Sequence, residues 1–175
     1  KYRVVWFLID VMAGAAASLS LPPFFIVPAL CVLGLPVWRV IHANSRVEAA
    51  GIFGAAGLGW FLASTFWVSH ALIVSEPALW FLTPFVALAL ALILAIFWAV
   101  AAAVSWIPCT SGLVRALCLL AVFAFIEWTR SFVASGFPWS LMGSIFAVHL
   151  SSLQMGSIIG IYGLTILAFG CMIAP

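Results

Sequence analysis

Six apolar runs, at residues 4–20, 24–41, 49–69, 82–106, 113–130 and 154–174, constrain this chain more than any other feature. An α-helix rises about 1.5 Å per residue, so about 20 apolar residues cross the roughly 30 Å hydrocarbon layer of a bilayer. The third, fourth and sixth runs reach that length, and the other three are expected to extend into the interface. Only 6% of the residues are charged and the mean hydropathy is +1.36. A soluble domain carries roughly 25% charged residues on a surface that faces water. Lipid is therefore the solvent for most of the chain, and in lipid every backbone N–H and C=O needs an internal partner. The runs are too long for barrel strands and lack their alternation of period two. The expected fold is an all-α membrane protein, a polytopic bundle of about six transmembrane helices. The Gly/Pro-broken segment 131–152 is too polar to span and is expected to form an interfacial outer loop.

Breakers and charges organise the runs. Pro22-Pro23 separates the first two as a tight hairpin, because proline cannot continue a helix interior. Asn44 to Glu48, His70 to Pro77 and Pro108 to Gly112 mark the next connections. Crossing the membrane alternately places Lys1, Arg3, Arg39, Arg46 and Arg115 on one side and Arg130 alone on the other. By the positive-inside rule the N-terminus is cytoplasmic. Trp6, Trp38, Trp67, Trp80, Trp106, Trp128 and Trp139 fall near span ends, where aromatic belts sit. Small residues mark helix contacts: Gly51, Ala55, Gly59 and Ala63 recur every fourth position, and Gly156 and Gly160 form a GxxxG with Gly163 one turn later. The chain starts without methionine and stops directly after an apolar run, as an excerpt of a longer protein would.

Few side chains offer acid–base or nucleophilic chemistry. Lys1 is the only lysine, and there is no GxSxG, HExxH or glycine-rich phosphate loop. Cys31, Cys109, Cys118 and Cys171 have no metal-ligand spacing and read as small hydrophobes. His42, His70 and His149 lie far apart and read as solvated interfacial residues rather than metal ligands. No catalytic residue, metal, cofactor or nucleic-acid partner is expected. Asp10, about 9 Å into the first span by helical rise, must face the bundle, find a donor or be protonated. Glu127 and Arg130, three apart, share one face at the outer end of the fifth span and can neutralise each other, either as a bracing ion pair or as an anchor for the outer loop or a lipid headgroup.

The richest segment reads Glu127-Trp128-Thr129-Arg130, five residues, then Gly136-Phe137-Pro138-Trp139. This E-W-x-R-x5-G-F-P-W pattern resembles the membrane region of apolipoprotein N-acyltransferases. Leu21-Pro22-Pro23-Phe24, Trp67-Val68 and Gly160-Ile161-Tyr162-Gly163-Leu164-Thr165 match in order and spacing, so the resemblance runs over nearly the whole chain. Where family members often carry a tyrosine shortly after a glycine beyond the GFPW block, this chain has Gly143 and then Ser144, and that contact is not carried over.

The resemblance implies an enzyme of the bacterial inner membrane, with a phospholipid as acyl donor, a lipoprotein as acceptor and membrane lipids as surroundings. It moves a fatty acyl chain to the N-terminal cysteine of a lipoprotein through a thioester on a Glu-Lys-Cys triad. That triad lies in a nitrilase-like domain beyond this chain, so the chain alone is expected to be inactive. Phe137, Pro138, Trp139 and Tyr162 are the candidate substrate-contacting residues; Glu127, Arg130, Gly136, Gly156, Gly160 and Gly163 are candidate structural ones. The Phe137 and Trp139 rings either line the acyl portal or anchor the loop at headgroup depth. The rival reading is a small permease or scaffold without enzyme activity, but no repeat symmetry supports it, and Asp10 is the one candidate for a midplane ionisable site.

Overall fold

The computed structural model describes residues 2–108, 112–133 and 136–173, which form helices and connecting turns with no strand among them. Lys1 and Cys109 lie outside the described residues. The order is α1 (Tyr2–Ala17), a 3-10 segment Val27–Leu33 leading into α2 (Gly34–Ile41), α3 (Arg46–Thr65), α4 (His70–Ser75), α5 (Thr83–Ser105), α6 (Gly112–Arg130), α7 (Leu150–Gln154) and α8 (Gly156–Ile173). Five stretches among the described residues are long and apolar enough to cross a membrane. The second run is shorter than expected: helix covers only Val27–Ile41, after a turn built on a cis Pro22–Pro23 bond. Its first half is 3-10 helix, which rises about 2.0 Å per residue, so these few turns still reach about 26 Å.

α3 is the hub. It starts at an N-cap, where the Ser45 hydroxyl accepts from Glu48 N at 3.1 Å. Along its length α3 packs against α1 on one flank and α5 on the other. The α1 crossing is close because both partners lack a side chain at the contact. A Cβ on Gly14 would overlap the Ala56 carbonyl, and one on Gly59 would overlap the Val11 carbonyl. Phe53, Trp60, Phe61, Trp98, Phe123 and Phe169 fill the centre, with Phe53 stacked on Trp98 at 4.8 Å and Phe123 on Phe169 at 4.3 Å. Aromatic rings of this size, packed by their edges and faces, supply the dispersion contact that holds helices together where the hydrophobic effect cannot.

Two expectations change. Gly156, Gly160 and Gly163 do not form a helix-packing face. Gly160 sits at φ 68°, ψ 175°, a conformation open to glycine alone, and it breaks α8 at that point. A Cβ there would meet no atom within 4 Å, and a Cβ on Gly163 would meet Ile159 of the same helix. The 131–152 segment also does more than lie at the surface. Its 3-10 turn Met142–Val148 drops against α8 and buries Leu141, Met142 and Ile145. Gly143 permits this: its N–H donates to Thr165 Oγ1 at 3.1 Å, and a side chain would overlap the Ile161 carbonyl.

Charges segregate by end. Arg115 donates to the carbonyls of Ile41 and Ala43, both at 3.1 Å, so it joins Arg39 and Arg46 at the end where α1 begins. Arg130 lies at the opposite end. Asp10 is 2% exposed and takes its donor from Arg39, whose guanidinium also lies over the Trp6 ring at 4.6 Å. That pairing answers the burial of a carboxylate at this depth.

Candidate functional site

The loop after α6 is held from below by one arginine. Arg130 and Glu127 are each 1% exposed and form a two-pronged ion pair, with Nη2 to Oε2 at 2.8 Å and Nε to Oε1 at 3.2 Å. Trp98 completes the carboxylate with an indole N–H at 3.3 Å, and the Phe61 ring faces the guanidinium at 5.1 Å. The remaining nitrogen, Nη1, donates to the carbonyls of Phe137 at 2.7 Å and Trp139 at 3.2 Å. The E-W-x-R and G-F-P-W blocks are thus two halves of one device. A helix-end guanidinium satisfies the loop carbonyls that no helix or strand could satisfy.

Loop geometry follows from its residues. Gly136 has φ 84°, and a side chain there would overlap the Ser131 carbonyl. Pro138 fixes its own φ and biases Phe137 toward extended backbone. Ser140, at φ 58°, turns the chain inward, and its carbonyl accepts from the Trp60 indole at 3.1 Å. Phe137 packs on the core, while Trp139 stays 52% exposed. The Trp139 ring meets Phe137 edge-on at 4.8 Å and Trp67 edge-on at 6.2 Å.

Trp139 forms one wall of a cavity of about 380 Å³, between the end of α1, the Pro22-Pro23-Phe24 turn, and the end of α3 with Phe66 and Trp67. Three sequence blocks noted separately, the Leu21–Phe24 turn, Trp67 and the GFPW loop, therefore meet at one place. Phe137, Pro138 and Tyr162 are not among the residues around this cavity, so of the four candidate substrate-contacting residues Trp139 alone lines it. Sequence reasoning missed Trp60, Ser64, Ser140 and Ser144. Trp60 reads as an ordinary core residue in an apolar run, and isolated serines carry no pattern. The Ser64 hydroxyl is buried with no hydrogen-bond partner among the described residues.

Among the described residues that line the cavity there is no cysteine, lysine, histidine or carboxylate. The nearby charges of Glu127 and Arg130 cancel. What remains is an aromatic, largely neutral slot with a few hydroxyls, within the size range of small-ligand sites. Elsewhere, His149 caps α7 by accepting from Ser151 N at 3.3 Å, and His70 lies edge-on to Phe66 at 5.9 Å. Among the described residues no cluster of His, Cys, Asp or Glu is arranged to hold a metal ion.

Comparison with known proteins gives the same direction. Residues 13–174 match the family described as apolipoprotein N-acyltransferase N-terminal domain. Three curated apolipoprotein N-acyltransferases illustrate the similarity. That of Rhizobium rhizogenes is 32% identical over 190 residues, covering 100% of this chain and 36% of the relative. That of Rhizobium etli is 36% identical, covering 96% of this chain and 33% of the relative. That of Caulobacter vibrioides is 31% identical, covering 94% and 32%. The chain spans about a third of the length of these relatives.

Proposed function

This chain belongs to the apolipoprotein N-acyltransferase family, and on that premise we propose that it is the membrane platform that presents a phospholipid acyl chain for transfer to a lipoprotein. It is a multi-pass helical protein of a bacterial family. In this reading it sits in the inner membrane with its N-terminus cytoplasmic, and the Trp139 cavity opens at the outer face. The donor is a phospholipid, and the acceptor is the N-terminal cysteine of a lipoprotein.

The observation that carries the proposal is the convergence of the Leu21–Phe24 turn, Trp67 and Trp139 around one uncharged cavity, at the end of the bundle opposite the basic residues. Its aromatic walls suit an acyl chain. Arg130 holds the loop in place without offering charge to the ligand. The chemistry of acyl transfer needs a nucleophile that this cavity lacks, so the platform contributes binding and orientation.

The test uses the full-length protein, a phospholipid radiolabelled in its acyl chain and a diacylglyceryl-cysteine peptide. Label should move to the peptide amine, by way of a hydroxylamine-sensitive adduct outside residues 1–175. No transfer would refute the reading. A labelled adduct on Cys31, Cys109, Cys118 or Cys171 would instead place the chemistry inside this chain.

A further inference from the structure

A larger cavity lies at the other end of α1. It measures about 640 Å³ and is walled by α1, the end of α2 and the start of α3. From Arg3 to Ser18, which lines the Trp139 cavity, is fifteen residues of helix, or roughly 22 Å, so the two cavities are distinct. Nothing in the proposed acyl-transfer role uses this one.

Its polar groups are of both signs. Arg3 and Arg39 face Asp10 and Glu48 around the cavity, so its formal charge is zero. Asp10 is taken up by Arg39. That leaves two groups for a ligand. Arg3 has no ion-pair partner among the described residues. Glu48 uses Oε2 for Asn44, accepting from its N at 2.8 Å and its Nδ2 at 3.1 Å, while Oε1 has no partner among the described residues. One free cation and one free carboxylate oxygen therefore flank the same space.

A second feature supplies a tail. Phe7 and Gly51 also line a wholly apolar groove of about 260 Å³ that continues between α3 and α5, past Leu58, Leu92 and Ile96. From Gly51 to Leu58 the groove runs about 10 Å down α3, most of one leaflet's hydrocarbon depth. At the junction, a Cβ on Gly51 would meet no atom within 4 Å. Gly51 is therefore a gap between a polar mouth and an apolar channel.

We infer that this is a lipid site, separate from the Trp139 cavity, for a phospholipid whose headgroup is a zwitterion with a phosphate and a primary ammonium. The phosphate meets Arg3, with the exposed edge of Arg39 beside it. The ammonium donates to Glu48 Oε1, and one acyl chain passes over Gly51 into the groove. An anionic glycerol headgroup leaves the carboxylate unpaired, and a quaternary ammonium has no N–H to give it.

Native mass spectrometry of the full-length protein in detergent tests this, with dioleoyl phosphatidylethanolamine, phosphatidylglycerol and phosphatidylcholine, and with soluble phosphoethanolamine, as probes. Phosphatidylethanolamine should be retained about tenfold better than the other two lipids, the size of one charge-assisted hydrogen bond. Glu48→Gln, which keeps an acceptor for Asn44, should abolish that preference, and Arg3→Gln should weaken retention of the lipid. Gly51→Leu fills a space open in the helix surface, so the fold should hold while the number of bound lipids falls by one. Phe85→Leu, an exposed position on α5 at the far end, should change nothing. Equal retention of the three lipids, a preference for phosphatidylglycerol, or wild-type retention by Gly51→Leu would overturn the inference. So would soluble phosphoethanolamine competing as well as the lipid, because the groove would then contribute nothing.

Discussion

The guanidinium of Arg130 makes four hydrogen bonds, two to Glu127 and one each to the carbonyls of Phe137 and Trp139. Removing it strands a buried carboxylate and two loop carbonyls together. Breaking one side of a buried pair costs about 3–5 kcal/mol, far more than replacing both partners. Arg130→Met should therefore lower the thermal midpoint of the purified protein strongly, and Glu127→Gln combined with Arg130→Met should recover part of the loss. Equal midpoints for the single and double variants would show that the pair is not coupled. Arg130→Lys should fall between, since a lysine cannot span a bidentate carboxylate and two carbonyls. The spacing of Glu127 and Arg130 made the pair legible in the sequence. Their place at the helix end pointed to the loop, but which carbonyls Arg130 meets was not legible, because backbone acceptors leave no trace in residue identity.

Among the helices, the α1–α3 crossing shows what small residues do in this bundle. Gly59→Val should disrupt it, because any side chain there overlaps the Val11 carbonyl, whereas Gly51→Val should leave folding intact. The measurement is the yield of monodisperse protein after detergent extraction. Loss at both positions, or at neither, would contradict the packing. The every-fourth pattern of Gly51, Ala55, Gly59 and Ala63 identified the right helix but could not say which glycine touches a neighbour. Gly14 was missed, since a lone glycine in an alanine-rich run looks like ordinary helix. In α8 the GxxxG signature proved to be a break at Gly160, because glycine serves close approach and positive φ alike and the sequence does not distinguish them. The second run was legible as apolar and misjudged in length, because 3-10 and α-helix share one hydropathy pattern.

For the whole molecule, the separation of charge was the most readable feature. The described arginines named for the basic side do gather at one end, and the residues of the candidate site gather at the other. With the native cysteines removed, a cysteine at Glu76 should react with an impermeant thiol reagent from outside intact cells, and one at Asn44 should not. Labelling at Asn44 alone would invert the proposed orientation. The convergence of the Leu21–Phe24 turn with Trp67 and Trp139 could not be read from spacing, since long-range packing brings them together.

The central claim is that the Trp139 cavity takes the acyl chain, and the acyl-transfer kinetics of Trp139→Ala in the full-length protein test it most directly. Half of this ring is already exposed, so its loss should spare insertion and folding. Removing an aromatic wall from a bound ligand costs a few kcal/mol, which is tens of fold or more in rate. Acyl transfer per inserted molecule should fall by at least that factor with the amount of protein in the membrane unchanged. Normal turnover from stably inserted Trp139→Ala protein would reduce the GFPW loop to an interfacial anchor and remove the basis for the proposed portal.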